Sequence, residues 1–76
     1  MKIKPGKYRH YKGKLYEVME IVLHSETLEE MVLYKALYNS PRFGENRLWV
    51  RPAKMFAETV IVNGKSIPRF EYVGYN

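Results

Sequence analysis

The sequence predicts a mainly β domain, a small closed barrel of five to six short strands with one short helical turn. Three observations predict it. Short apolar stretches rich in β-branched and aromatic residues alternate with turn signals along the whole chain. The 76 residues suffice for one domain, 1–76, with no second core. With 46% hydrophobic and 28% charged residues, the composition is typical of a globular protein rather than a disordered one.

The first strand is predicted over Lys7–Tyr11, where aromatic and basic residues alternate. The segment Lys12–Lys14 follows as a turn, because its central glycine adopts positive φ at little cost. A longer second strand is predicted over Leu15–Leu23, which is rich in β-branched and aromatic residues. Its alternation of apolar and polar residues is imperfect, and this indicates a bulge near Glu20.

Residues 25–38 allow two interpretations. Thr27 and Glu30 fit a capping box at the start of a helix, and a helical stripe of apolar residues follows. Met31–Tyr34, in contrast, has the short, bounded apolar character of a strand. The residues alone leave a helix and a loop followed by a strand as equal alternatives.

The second half of the chain is divided by turn and breaker residues. Its predicted elements are a loop over Asn39–Asn46, a strand over Leu48–Arg51 ended by Pro52, a helical turn over Pro52–Ala57, a strand over Glu58–Val62, a type I′ turn at Asn63-Gly64, and a return strand over Lys65–Val73 that Pro68 places at an edge or bulge. This order of elements suits an SH3-like barrel, whose closure limits exposed strand edges. We expect residues 1–5 and 74–76 to fray.

Several classes of protein are excluded by composition. The chain has no cysteine, so disulfides, thiolate zinc sites and cysteine nucleophiles are ruled out. A small secreted domain usually needs disulfides, so their absence favours the cytoplasm. No segment has the pattern of a signal peptide, and the apolar stretches are too short to span a bilayer. A core this small is consistent with a monomer or a weak homodimer.

Positive charge is concentrated in two regions of a chain whose net charge is +5 and whose pI is about 9.6. Six cations precede the first acid, Glu17, and a second group extends from Arg42 to Lys54. A basic face could attract phosphates, whereas the simpler interpretation is a charge that favours solubility.

Sequence segments spread over the whole chain resemble those of a bacterial family of small domains, domain-of-unknown-function family 1653. The matching segments are Lys7–Gly13, Tyr16–Val18, His24–Glu29, Tyr34–Tyr38, Leu48–Pro52 with Met55-Phe56, and Arg69-Phe70. The resemblance covers roughly Pro5 to Gly74 and implies an SH3-type barrel. It also favours a loop followed by a strand, rather than a helix, over residues 25–38. It implies no activity, because none is established for the family. The loop between Asn39 and Arg47 is longer here than the family's usual short link.

The most polar segment, His24–Glu30, contains the ingredients of acid–base chemistry. His24 and Ser25 are adjacent, however, and adjacent residues of an extended chain point to opposite sides. A loop whose Ser25 and Thr27 side chains bond nearby backbone amides is the simpler and preferred interpretation of the segment. A metal site would have to combine His10, His24 and Glu26, which lack a compact ligand spacing. We therefore expect no catalytic residue, no metal and no cofactor.

Aromatic side chains and one arginine remain as candidate binding groups. Phe56 and Trp49 are expected mainly in the core, and Tyr8, Tyr11 and Tyr34 at the surface. Arg51 lies two positions after Trp49 and therefore points to the same side of the strand. If Arg51 is partly buried, it needs a carboxylate such as Glu26 or Glu29, or an anionic ligand.

We expect a non-enzymatic binding module; two binding functions fit these residues, and an enzyme is the least favoured alternative. The first is a non-enzymatic module that binds nucleic acid or another anionic ligand through Lys7, Arg9, Lys12, Lys14 and Arg51, with Tyr8 and Tyr11 for stacking. The second is a protein-interaction module with an aromatic groove between the Lys12–Lys14 turn and the Ser25–Glu30 loop, lined by His10, Tyr11, His24, Tyr34 and Trp49. The third is a small enzyme around His24 and Glu26. The candidate ligand-binding residues are Tyr8, Arg9, His10, Tyr11, Lys12, His24, Ser25, Glu26, Tyr34, Trp49 and Arg51.

Overall fold

The computed structural model describes residues 3–74 and confirms the mainly β class. Within these residues the chain forms nine strands and one four-residue helix. In chain order they are β1 (Gly6–His10), β2 (Leu15–Leu23), β3 (Glu30–Ala36), β4 (Asn39–Ser40), β5 (Gly44–Glu45), β6 (Leu48–Pro52), α1 (Ala53–Phe56), β7 (Thr59–Val62), β8 (Lys65–Pro68) and β9 (Phe70–Gly74).

Five of the strands form one antiparallel sheet in the order β6-β3-β2-β1-β9. The pairs β4–β5 and β7–β8 are separate two-stranded hairpins. Among the residues described, β6 and β9 form the two edges of an open sheet, and no ladder joins them. The chain between these edges forms α1 and the β7–β8 hairpin. The closure of an SH3-like barrel is therefore not seen in the strand ladders.

The ambiguous segment after residue 24 is a loop followed by a strand, so the helical alternative is wrong. Glu30–Ala36 pairs with β2 on one side and with β6 on the other, and this double pairing overrides the local capping signal. The predicted bulge in β2 is confirmed, because the register shifts between Val18 and Glu20 and leaves Met19 without a partner.

The core lies on one face of the sheet, beneath α1. Alternate residues of the strands reach it, among them Tyr8, Val18, Val32 and Tyr34. Phe56 from α1 stacks on Phe70 of β9 with ring centroids 4.2 Å apart and an interplanar angle of 4°. The core is thus largely aromatic, and the helix that Pro52 introduces closes only part of the sheet face.

Two predictions for the second half of the chain require correction. The segment Asn39–Asn46 contains the β4–β5 hairpin rather than a plain loop, because Gly44 adopts a φ of +90° that allows a tight reversal. The return strand Lys65–Val73 is divided at Arg69 into β8 and β9, which pair with different partners, β7 and β1. The Asn63-Gly64 turn is confirmed, with both φ angles positive at 51° and 77°.

The chain ends were expected to fray, and residues 1–2 and 75–76 lie outside the described part. Lys4 is tied to the core instead: its backbone N–H donates to the Tyr8 hydroxyl at 3.1 Å, and that hydroxyl donates to the Lys4 carbonyl at 2.9 Å. Gly74 belongs to β9. In the part of the chain that the structure describes, no helix has the length and apolar character required to cross a membrane.

Candidate functional site

A cleft of about 310 Å³ opens between the sheet and the β4–β5 hairpin. We call it the aromatic cleft, because five of its nine lining residues carry aromatic rings. The lining consists of Tyr16, Tyr34, Ala36, Tyr38, Ser40, Phe43, Arg47, Trp49 and Arg51.

Strand alternation places one wall of the aromatic cleft. Tyr34 and Ala36 lie two positions apart on β3, and Trp49 and Arg51 lie two positions apart on β6, so each pair shares a face. The ladders set Tyr34 opposite Trp49 and Ala36 opposite Tyr16. The cleft is therefore a part of the core-facing surface of the sheet that remains accessible.

The β4–β5 hairpin supplies the opposite wall. The Ser40 hydroxyl accepts hydrogen bonds from the backbone N–H groups of Arg42 and Phe43, at 3.3 and 3.2 Å. These bonds order the tip of the hairpin and hold Phe43 edge-to-face against Trp49, with centroids 5.0 Å apart. The tryptophan is thus held between the sheet and the hairpin.

Two tyrosine hydroxyls meet in the aromatic cleft. The hydroxyl oxygens of Tyr16 and Tyr38 lie 2.6 Å apart and share a hydrogen bond. Burial raises the pKa of Tyr16, and the hydrogen bond to Tyr38 raises this pKa further. The Tyr16 hydroxyl consequently offers a neutral polar group to a ligand rather than phenolate charge.

The electrostatic character of the aromatic cleft is positive. Its charged lining residues are Arg47 and Arg51, and none of its described lining residues is acidic. Two more cations stand at the rim: Lys14 Nζ lies 4.7 Å from the Tyr38 ring centroid, and Arg42 Cζ lies 5.0 Å from the Phe43 ring centroid. An anion entering the cleft would meet cations on several sides.

The expected pairing of Arg51 with Glu26 or Glu29 is wrong. Within residues 3–74 no carboxylate oxygen lies within 4.0 Å of an Arg51 side-chain nitrogen; the ion pairs found there are Lys35–Glu17 and Arg69–Glu58. Arg51 instead places its guanidinium carbon 5.7 Å from the Phe70 ring centroid. The half-buried guanidinium is therefore available for an anionic ligand.

The structure distributes the predicted site residues over several places. Tyr34, Trp49 and Arg51 line the aromatic cleft. Arg9, His10 and Tyr11 line a second cleft, of about 250 Å³, together with Ile67, Pro68 and Glu71. Lys12 is exposed in the β1–β2 turn, and His24, Ser25 and Glu26 are exposed in the β2–β3 loop.

The expected surface positions of Tyr8 and Tyr34 are wrong. Each side chain is only 6% exposed, because each lies at a core-facing position and packs edge-to-face against Phe56 of α1. Tyr11, in contrast, is 37% exposed, as expected of a surface aromatic residue. Phe56 is buried as predicted, and Trp49 is half-buried and packs against the core.

The groove expected between the Lys12–Lys14 turn and the Ser25–Glu30 loop does not form. The turn precedes β2 and the loop follows it, so the nine residues of β2 separate them by about 26 Å. His24 is thereby separated from Tyr11 and His10, with which it was expected to line one groove.

The β2–β3 loop satisfies its own polar groups. His24 Nδ1 accepts hydrogen bonds from the backbone N–H groups of Glu26 and Thr27 at 3.2 and 3.4 Å, and Thr27 Oγ1 accepts one from Glu29 at 3.2 Å. The bond that Thr27 Oγ1 accepts agrees with the expected loop, in which Thr27 bonds a nearby backbone amide. The second side chain that bonds backbone amides is His24 rather than the expected Ser25. The described residues contain no cluster of three or more His, Asp or Glu side chains placed to hold a metal ion.

Several cleft residues escaped the sequence interpretation. They are Tyr16, Ala36, Tyr38, Ser40, Phe43 and Arg47. The hairpin residues among them lie in the segment Asn39–Asn46, whose composition predicts a loop. The signal that could have identified them is an aromatic residue beside a glycine, Phe43-Gly44, inside an otherwise polar segment.

Comparisons with known proteins agree with the resemblance seen in the sequence. A family model described as "Protein of unknown function (DUF1653)" matches residues 6–72. A crystal structure of a DUF1653 protein from Bordetella bronchiseptica is similar to this chain, with a TM-score of 0.86 and 35% sequence identity over 97% of this chain and 91% of that one. No curated protein matches the sequence. The chain therefore belongs to the DUF1653 family, whose function is unknown.

Proposed function

We propose that this protein is a non-enzymatic binding module whose aromatic cleft holds an anionic, planar ligand, namely an unpaired nucleotide. One observation carries the proposal: two arginines without a carboxylate partner among residues 3–74 line an aromatic cleft that has no acidic residue in its described lining. A planar base and a phosphate are the two chemical groups that this lining complements.

The aromatic lining supports recognition of the base. Every nucleobase has a π-face, and stacking on an aromatic side chain contributes about 1–3 kcal/mol per base. Trp49 and Phe43 are accessible for such contact, since they are half-buried and 43% exposed respectively. The hydroxyls of Tyr16 and Tyr38 can add hydrogen bonds to the edge of a base.

The two arginines support recognition of the phosphate. A guanidinium presents a planar fork of donors that matches two phosphate oxygens at once. Arg51 lies on a strand whose backbone is held by the β3–β6 ladder, so its position is defined before a ligand arrives. Such pre-organisation favours binding.

The hydrogen bonding and exposure of His24 in the β2–β3 loop also favour a binding role over catalysis. His24 uses Nδ1 as an acceptor for two backbone amides, and the loop that contains it is exposed. A general base usually needs both a free acceptor and a site that excludes water. The enzymatic alternative around His24 and Glu26 is accordingly not the function proposed.

A protein-interaction module remains the second candidate, because the aromatic cleft also resembles a peptide groove in its lining by Trp49 and tyrosines. The same arginines would then select an acidic peptide. The two candidates differ in their ligand, so a direct comparison of a nucleotide with an acidic peptide distinguishes them.

The test uses Trp49, the single tryptophan of the chain, as an intrinsic reporter inside the cleft. Uridine monophosphate is titrated against the protein at about 50 mM and about 200 mM salt. We expect a saturable change in Trp49 fluorescence that weakens at the higher salt. Arg51→Gln should weaken binding about tenfold to hundredfold, since a hydrogen bond to a charged group contributes about 1.5–3 kcal/mol.

Lys54→Gln is the matched control for the loss of one positive charge, because Lys54 is exposed on α1 and does not line the aromatic cleft. This variant should bind like the unaltered protein. Equal effects of Arg51→Gln and Lys54→Gln, or an absence of any fluorescence change, would contradict the proposed function. Binding of a glutamate-rich peptide in place of the nucleotide would favour the protein-interaction candidate.

A further inference from the structure

We infer that the ligand is a single-stranded nucleic acid, which extends from the aromatic cleft along the β1–β2 turn into the second cleft, rather than a free nucleotide. The inference rests on the proposed function of the aromatic cleft. It adds a second binding site, the cleft lined by Arg9, His10, Tyr11, Ile67, Pro68 and Glu71.

A row of four rings connects the two clefts. The centroid distances along it are 5.4 Å from Tyr38 to Tyr16, 6.3 Å from Tyr16 to His10, and 4.7 Å from His10 to Tyr11. Tyr38 and Tyr16 line the aromatic cleft, whereas His10 and Tyr11 line the second. The two clefts therefore adjoin at the contact between Tyr16 and His10, with no intervening residue in the row.

A lysine stands at each end of this ring row. Lys14 Nζ lies 4.7 Å from the Tyr38 centroid, and Lys12 Nζ lies 5.8 Å from the Tyr11 centroid. Both lysines are exposed in the tight turn between β1 and β2, which the Gly13 N–H closes by donating to the His10 carbonyl at 2.7 Å. The turn thus presents two cations along the path between the clefts, where the phosphates of a bound strand would pass.

The second cleft has the character of a second base site. Tyr11 is 37% exposed and its ring is tilted by 33° against the His10 ring, so part of the Tyr11 ring is accessible as a platform for a base. The acidic residue in this cleft, Glu71, lies opposite Arg9 in the β1–β9 ladder. The positive charge of Arg9 therefore offsets the negative charge of Glu71 locally. A mononucleotide has one base and would leave this platform unused, whereas a strand supplies a second base and the linking phosphate.

The experiment compares uridine monophosphate with a uridine tetranucleotide, both titrated against the full chain. We expect the tetranucleotide to bind at least about tenfold more tightly, the effect of one additional stacked base. Tyr11→Ala should remove most of this advantage and leave the affinity for uridine monophosphate unchanged. Ile61→Ala is the matched control, since Ile61 is 71% exposed on β7 and lines neither cleft.

A charge variant tests the path independently of Tyr11. Lys12→Gln should reduce by about one the slope of log affinity against log salt for the tetranucleotide, because it removes one phosphate contact. The same slope should be unchanged in Lys54→Gln.

The outcomes separate the two proposals. If neither ligand binds, both the proposed function and this inference fail. If uridine monophosphate binds and the tetranucleotide binds no more tightly, the aromatic cleft stands alone and the inference is overturned. A tetranucleotide advantage that persists in both Tyr11→Ala and Lys12→Gln also overturns it, because the strand then follows another path.

Discussion

Gly6 of β1 packs against β9, and its replacement by alanine should destabilise the domain strongly. Gly6 is buried with a φ of +133°, a conformation that side chains disfavour and that costs about 1–3 kcal/mol. An added Cβ would lie 2.9 Å from Tyr72 Cε1 and 3.0 Å from the Gly74 carbonyl oxygen. Because the second neighbour is backbone, relief requires β9 to move, which adds about 1–3 kcal/mol.

The expected loss for Gly6→Ala is therefore about 2–6 kcal/mol, a large share of the roughly 5–15 kcal/mol typical of a domain. Urea denaturation followed by circular dichroism measures it, and the thermal midpoint should fall by about 4–8 °C per kcal/mol. Gly13→Ala is the matched control: its φ is +107°, but its Cβ would have no neighbour within 4 Å. Equal losses in the two variants would refute the argument that contact with β9 constrains Gly6.

Three further predictions concern the core and the ring row. Phe56→Ala should lower the free energy of unfolding by about 3–5 kcal/mol, because Phe56 is 2% exposed and stacks on Phe70; denaturation curves measure the loss. His10→Gln should flatten the pH dependence of stability: burial and then Arg69, Arg51 and Lys12 lower the His10 pKa below 6.5. The neutral His10 ring therefore contributes stability above pH 6.5, and this contribution is lost as the pH falls through the lowered pKa. Unfolding curves recorded in acid should show a smaller loss of stability in His10→Gln than in the unaltered protein. Tyr38→Phe should lower the raised pKa of Tyr16, which tyrosinate absorbance measures. The same variant should lower the free energy of unfolding by about 0.5–1.5 kcal/mol, which urea denaturation measures. An unchanged Tyr16 titration would contradict the assigned hydrogen bond.

Local signals in the sequence predicted most strands. The features that those signals did not predict depend on pairing between strands that are distant in the sequence. The Asn63-Gly64 turn, the bulge beside Glu20 and the helix after Pro52 each depend on a few neighbouring residues, and each is confirmed. The ambiguity over residues 25–38 was resolved by pairing of β3 with two strands. The division of the last strand at Arg69 depends on pairing with β1, some sixty residues earlier, which no local pattern encodes.

The candidate site was only partly predictable for the same reason. Trp49 and Arg51 were identified because a two-residue spacing within one strand fixes their common face. Tyr16 joins them from β2, Tyr38 from the bend between β3 and β4, and Phe43 from the hairpin, and their convergence requires the fold. The burial of Tyr8 and Tyr34 likewise depends on α1 packing over their face. Their spacing in the strands is equally compatible with a surface position.

We propose the aromatic cleft as the binding site of the protein. An amide-resolved NMR titration of the full chain with uridine monophosphate tests it most directly, at low salt and again at near-physiological salt. We predict that the largest shifts fall on Tyr34, Ala36, Tyr38, Arg51 and the Trp49 indole, and that they diminish as salt rises. Shifts centred on the His24–Glu30 loop, or no shifts at either salt, would contradict it.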